Sequence, residues 1–211
     1  MEMTPEIPVE AWEWMWAPYD AHTYDLVSEQ IKENDIVLEI GAGDLRLSRQ
    51  LAVQTKWVYA LEVNETLLER SSCALPANLD VITGDARVVP FPDNITTAVL
   101  LMRHCTHFSL YFEKLRAGAC HRLITNARWG INVETINLKA PRQPYRTLDM
   151  GWYACRCGNR GFKPGPPRAL TEAVAGQVWE VDSCPLCTAS SPLSSTHFNK
   201  EIFTSTQELP W

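Results

Sequence analysis

The sequence predicts a doubly wound, mostly parallel α/β sheet carrying a small appended module. Three observations lead there. Short apolar runs alternate with helix-patterned segments from Asp35 onward, the first run ends in a glycine turn, and this regularity fades after about residue 140. Alternation of this kind requires right-handed crossovers and a sheet covered by helices on both faces.

Each element follows from its pattern. Tyr24 to Ile31 reads as a helix, with Leu26, Val27 and Ile31 on one side. Ile36–Ile40 is short, mostly apolar and followed by glycine, as expected of a buried parallel strand. Leu45, Leu47, Leu51 and Ala52 mark the next helix, and Trp57 to Leu61 a second strand. Asn64 is placed to cap a helix containing Leu67 and Leu68. Val81–Thr83 and Ala98–Met102 are the third and fourth strands, Phe108 to Leu115 is helical, and Arg122–Thr125 is the fifth strand.

The expected division is 1–140 for the α/β domain with an N-terminal aromatic segment, 141–190 for the module, and 191–211 for a tail. His197 to Thr204 in that tail could add a last strand. The 211 residues suit one domain with an appendage. Hydrophobic content of 45% and charged content of 21% argue against global disorder. No apolar run reaches the length of a membrane helix, and the acidic N-terminus lacks a secretory pattern, so a cytoplasmic protein is expected.

The net charge of −6 argues against a uniformly basic nucleic-acid binder. Its distribution is uneven. Lys139, Arg142, Arg146, Arg156, Arg160, Lys163 and Arg168 face only Asp149 in the same stretch, which is therefore +6 and leaves −12 for the rest. The Lys139–Arg168 segment, with Tyr145, Trp152, Tyr153 and Phe162, could bind RNA or another polyanion through phosphate contacts and base stacking. A solvated basic rim is the competing reading.

Val37 to Asp44 reads strand, Gly41-Ala42-Gly43, then helix. Glycine permits positive φ and close approach of a ligand to the backbone. A single Gly-x-Gly fits a purely structural turn equally well. Glu62 at the end of the second strand can accept bonds from ribose hydroxyls, and Gly84-Asp85 after the third can hold an adenine amino group. A dinucleotide site would need a third glycine and a helix N-terminus free for pyrophosphate, but Arg46 and Asp44 stand there.

Glu39-Ile-Gly-Ala-Gly-Asp44, Glu62 and Gly84-Asp85 together resemble the motifs of class I S-adenosylmethionine-dependent methyltransferases, over about residues 20–130. The resemblance implies a Rossmann-like methyltransferase fold. It also implies a glycine loop (Gly41, Gly43) against the methionine part of the cofactor, Glu62 on the ribose and Asp85 on the adenine. Glu39 would hold the loop or, through water, the amino group. The loop after the fourth strand, Met102-Arg103-His104-Cys105-Thr106-His107, would face the methyl group. His104 is the candidate base there, its reference pKa lying near neutrality, against a plain loop histidine. Cys105 reads as packing. The Asn/Asp-Pro-Pro-Tyr/Phe motif of amino-methylating nucleic-acid enzymes is absent. The aromatic segment from Trp12 to Tyr24, Tyr19 and Asp20 in particular, would cover the pocket or simply pack.

Cys155-x-Cys157 and Cys184-x-x-Cys187, separated by 26 residues, resemble the two knuckles of a zinc ribbon, although Cys-x-Cys is tighter than the usual spacing. A structural zinc is expected, against four unrelated thiols or a redox pair at Cys184 and Cys187. The expected function is an S-adenosylmethionine-dependent methyltransferase, with RNA favoured by the basic segment. The alternatives are a small-molecule or protein substrate, or a non-catalytic cofactor- and zinc-binding module.

Overall fold

The computed structural model describes residues 19–69, 74–103, 105–130 and 132–189. Trp12, Trp14, Trp16, Cys73, His104 and the tail strand expected at His197 to Thr204 lie outside the described residues.

Helix α1 (Ala21–Glu29) precedes β1 (Ile36–Ile40), α2 (Arg46–Ala52), β2 (Trp57–Glu62), α3 (Glu65–Glu69) and β3 (Leu79–Thr83). Then come β4 (Thr97–Leu100), α4 (Phe108–Ala117), β5 (Arg122–Thr125) and β6 (Glu134–Asn137). These six strands form one sheet in the order β3-β2-β1-β4-β5-β6, parallel except for β6, which runs antiparallel beside β5. The order reverses between β1 and β4, so the turn after β1 opens at the crevice where ligands bind in doubly wound sheets. This is the expected Rossmann-like architecture.

Burial explains the apolar runs. Val37, Val58, Ala60, Val99 and Ile124 pack with Leu47 and Leu51 of α2 on one face. Leu38, Ile40, Leu61, Ala98, Leu100 and Leu123 pack with Phe108, Phe112 and Leu115 of α4 on the other. The fourth strand is shorter than its apolar run suggests: Leu101 and Met102 leave the sheet, and Met102 turns toward the glycine loop, where a Cβ at Gly41 would lie 3.2 Å from its Cε.

At the opposite edge, Asp35 ties the strand starts together. Its carboxylate accepts from Lys32 N (2.7 Å), Thr96 Oγ1 (3.0 Å) and Thr97 Oγ1 (3.1 Å), and pairs with the Arg122 guanidinium. Burial works against the charge, but the Lys32 N–H and Arg122 outweigh it and hold Asp35 below the ordinary carboxylate range.

The module continues with β7 (Gly151–Cys155), β8 (Arg160–Lys163), α5 (Glu172–Gly176), β9 (Val178–Val181) and α6 (Pro185–Ala189). Its three-stranded sheet has the order β8-β7-β9, with β7–β8 antiparallel and β7–β9 parallel. It lies along α4. Gly158 approaches Phe108, Arg142 sits 4.8 Å over the Phe112 ring, and Arg156 pairs with Glu113 at 3.0 Å. Among the described residues no helix is long and apolar enough to cross a membrane.

Asp35→Asn should destabilise the fold by about 3 kcal/mol, because buried Asp35 loses its charge-assisted bonds and half-buried Arg122 keeps only the Gln30 carbonyl as an acceptor. Chemical denaturation would measure this, and a loss below about 1 kcal/mol would contradict the role given to Asp35.

Candidate functional site

The site is built at the carboxyl ends of β1, β2 and β3. The chain leaves β1 through Gly41 (φ +77°) and Gly43 (φ +57°), and Leu45 (φ +66°) completes the turn into α2. A leucine with positive φ is an outlier that the surroundings must enforce. Here its side chain is buried, 2% exposed. The N–H groups of Gly41 and Ala42 both donate to Leu61 O, at 2.8 and 3.1 Å, fastening the loop to β2.

Glu62 does the rest. One carboxylate oxygen accepts from Gly43 N at 2.8 Å, and the other accepts from Val63 N and Asn64 N, both at 2.9 Å. The acid expected to meet ribose is therefore already the clamp between the glycine loop and the turn after β2. Its carbonyl O also accepts from Gly84 N at 2.8 Å, so the turn after β3 hangs on the same residue.

Glu39 is buried and accepts a bond from the Ser48 hydroxyl of α2. Burial pushes its carboxyl up to about 8, the neighbouring Glu62 and Asp44 charges add to the rise, and Ser48 opposes it. Asp44 pairs with Arg46. Asp85 accepts the Arg87 N–H at 2.8 Å and its guanidinium at 2.6 Å, and this partner holds it below the ordinary carboxylate range. Thus Glu39, Gly41, Gly43, Glu62 and Asp85 come together along one sheet edge, as their spacing suggested.

Tyr19 reaches that edge as well. Its ring lies 4.7 Å from the Arg103 guanidinium and its hydroxyl accepts from Arg103 N at 3.4 Å, against the segment after β4. Asp20 is instead the N-cap of α1, accepting from Thr23 N at 2.7 Å. Cys105 packs against the α4 side of the core, and burial pushes its thiol up.

The cysteine pairs meet. Cys155 ends β7 opposite Val181 at the end of β9, so parallel pairing delivers both knuckles to the same end of the small sheet. The sulfurs of Cys155 and Cys187 are 3.5 Å apart, those of Cys157 and Cys184 3.8 Å and those of Cys184 and Cys187 3.6 Å, and all four lie within 4.8 Å of one another. A tetrahedral zinc with bonds of about 2.3 Å sets sulfurs about 3.8 Å apart, so the residues fit that ion. Asn159 Nδ2 donates to Cys157 Sγ at 3.1 Å. A ribbon assembled only from antiparallel hairpins would not contain the parallel β7–β9 pair.

The basic segment differs from its formal charge. Lys139 Nζ donates to Arg116 O and Gly118 O, and Arg142 to Leu138 O and Ala140 O. Lys163 Nζ donates to the carbonyls of Tyr145, Arg146 and Leu148. Arg156 holds Glu113 and Asp182 O. Arg146, Arg160 and Arg168 are exposed, as is Lys139 despite its two carbonyl bonds. Moreover, Asn137 at the end of β6 faces Arg122 at the start of β5, so Lys139–Arg142 leave at the edge opposite the glycine loop. A cavity of about 490 Å³ there is lined by Arg116, Lys139, Arg142, Arg156 and Asp182, away from the strand-end acids.

Two residues escape sequence reasoning. Arg128, just past β5 and 1% exposed, bridges Glu134 (Nε–Oε1 2.8 Å) and Glu180 of β9 (Nη2–Oε1 2.6 Å). Next to it, Trp129 meets Trp152 of the module. Both depend on partners far along the chain, which no local pattern announces.

Residues 25–127, from α1 to just past β5, match a family model described as ribosomal RNA adenine dimethylase, a class I S-adenosylmethionine-dependent methyltransferase family. The match stops before the cysteine module. A probable ribosomal RNA small subunit methyltransferase A from Pyrobaculum aerophilum is 41% identical over 56 residues, covering 26% of this chain and 25% of that protein. The Pyrobaculum islandicum protein of the same description is 32% identical over 73 residues, covering 35% and 31%. The chain thus spans a quarter to a third of the curated relatives' length. A dimethyladenosine transferase from Plasmodium falciparum superimposes with a TM-score of 0.44 at 23% identity, covering 50% of this chain and 41% of that one.

Glu39 makes stability pH-dependent. The folded chain keeps its proton to about pH 8, whereas an ordinary glutamate releases it near 4.5. The contribution is full below 4.5 and is lost as pH rises toward 8. Melting temperatures of wild type and Glu39→Gln between pH 5 and pH 9 should therefore converge or cross in the variant's favour at high pH. Parallel curves would refute the buried, protonated carboxyl.

Proposed function

We propose that this chain catalyses S-adenosylmethionine-dependent methyl transfer to RNA, and that Cys155, Cys157, Cys184 and Cys187 hold a structural zinc. The observation that carries the first part is the set of strand-end groups, Gly41 and Gly43, Glu62, and Asp85, joined on one sheet edge through Glu62. The family match over the same strands supports it, and the RNA named in the relatives' descriptions supports the substrate class.

The cofactor supplies an electrophilic methyl group on a sulfonium. Gly41 and Gly43 let a ligand approach the main chain, and Glu62 offers ribose the one lone pair, on Oε2, that its three amides leave free. Asp85 would take the adenine amino group, with Arg87 yielding part of its bond. Buried Glu39 ties α2 to β1 through Ser48 and would hold the loop or, through water, the ammonium group. Transfer then depends on aligning the nucleophile in line with the methyl and excluding water. Tyr19 and Met102 border that space, and His104 is the proposed proton acceptor. Adenine amino chemistry is not part of the proposal, because Leu101–Thr106 has no Asn/Asp-Pro-Pro-Tyr/Phe.

Calorimetry should show binding of S-adenosylmethionine and S-adenosylhomocysteine, and a labelled-methyl assay should place label in RNA rather than in protein or metabolites. Glu62→Gln should raise the cofactor Kd roughly tenfold or more, the scale of a hydrogen bond to a charged group. Cofactor binding without label in any RNA fraction would overturn the substrate class, and no cofactor binding would overturn the activity.

Four thiolates leave no open position, so the zinc would be structural, stabilising the module rather than acting on substrate. Native mass spectrometry should find one zinc per chain. Cys187→Ser or chelation should lower the melting temperature. Full stability without metal would refute the assignment.

A further inference from the structure

The register of the small sheet sorts its side chains onto two faces. Cross-strand partners share a face. Trp152 therefore lies with Phe162 and Val178, and Ala154 with Arg160 and Glu180, while Tyr153, Gly161 and Trp179 share the other side. The four aromatics grouped by sequence separate accordingly. Tyr145 and Tyr153 meet edge to face at 4.9 Å in the cluster around Leu148, Cys155 and Val181. Trp152 remains 39% exposed, 5.3 Å from Phe162. Trp129 joins them from the loop after β5, 6.2 Å from Trp152, and the Arg160 guanidinium lies 5.6 Å over the Trp129 ring.

This row begins in a carboxyl-end loop of the main sheet, the same set of loops that carries Gly41, Gly43, Glu62 and Asp85. The two ring contacts are edge to face, with interplanar angles of 76° and 77°, so the row does not stack flat upon itself. Tryptophan and phenylalanine faces beside an arginine suit a planar, electron-rich partner carrying negative charge nearby. A duplex presents a phosphate backbone and needs a run of available cations. Among the described residues of the basic segment, Lys139, Arg142, Arg156 and Lys163 are bonded to the protein's own carbonyls and carboxylates, which leaves Arg146, Arg160 and Arg168 rather than an unbroken basic run.

We propose that Trp129, Trp152 and Phe162, with Arg160, form a stacking platform for unpaired bases of an RNA strand beside the cofactor edge. This rests on the RNA methyltransferase reading and narrows its substrate to RNA that is single-stranded near the target.

The test is fluorescence anisotropy of a labelled single-stranded RNA of about twelve nucleotides, within the site sizes such platforms cover, and of the same RNA annealed to its complement. The purified full chain is used without cofactor. The single strand should bind more tightly than the duplex. Trp152→Ala and Phe162→Leu should each raise its Kd by roughly 5- to 150-fold, the range for losing one stacked base. Trp152→Phe should recover most of the affinity, and calorimetric affinity for S-adenosylmethionine should not move in any variant. Equal or tighter duplex binding would overturn the proposal. So would single-strand affinity within about twofold of wild type in both ring-loss variants. Self-association abolished by Trp152→Ala with RNA affinity unchanged would make the face an interface between copies, and would also overturn it. Failure of the enzymatic reading is separable. A chain that stacks RNA but binds no cofactor sinks that reading alone, and one that methylates RNA with unchanged affinity in the ring variants sinks only the platform.

Discussion

The edge of the main sheet depends on one carboxylate. Glu62 receives the N–H groups of Gly43, Val63 and Asn64, and its carbonyl receives that of Gly84. Backbone amides freed at turns must find acceptors when they are removed from water. Placing an acid at the end of β2 satisfies three of them with charge-assisted bonds and fixes three turns relative to one another. The open shape of the glycine loop at Gly43 and the position of the turn that carries Asp85 follow from this anchoring. An acid that satisfies the scaffold before any ligand arrives also costs little reorganisation when one does.

Much of this was legible from residue order. The first and fifth strands match their apolar runs to the residue, because buried parallel strands are short and apolar on both faces. The placement of Glu62 and Asp85 at strand ends was legible because each directly closes or follows an apolar run. β6 was not, since Glu134-Thr-Ile-Asn buries only Ile136 and has no periodicity to speak of. The module's strands were hidden by Gly151 and Gly161 within β7 and β8 and by the prolines between the elements, although the cysteine spacing revealed where the chain must return. Charge was the least reliable guide. A count of seven cations says nothing about availability, and only folding holds the carbonyls that bind Lys139, Arg142 and Lys163 within their reach.

Arg128 joins the two sheets. It is buried between Glu134 of β6 and Glu180 of β9, and burial alone would depress its charge were those two carboxylates not against it. A buried ion triad of this kind is a weak source of net stability but a strong constraint on geometry, because any misplacement leaves a charge unpaired. It fixes the loop after β5, and with it Trp129, relative to the module. The module is thus oriented by the buried ion triad on one side and, on the other, by α4 through Phe108 against Gly158, the Arg142–Phe112 ring contact and the Arg156–Glu113 pair.

The parallel pairing of β7 and β9 carries a kinetic implication. Cys155 and Cys157 are neighbours in sequence, as are Cys184 and Cys187, so each pair forms locally. Only closure of the intervening loop brings the pairs together, and for 26 residues the length-dependent entropy of that closure is about 3 kcal/mol. A short hairpin would nucleate cheaply, but a parallel neighbour must wait for β8 and α5 to be laid down first. The sulfur tetrahedron is therefore created by a long-range event and not by its own knuckles. An ion held there would act as a clasp on that crossover, and would lower its reopening rate to the extent that the site forms after the folding transition state.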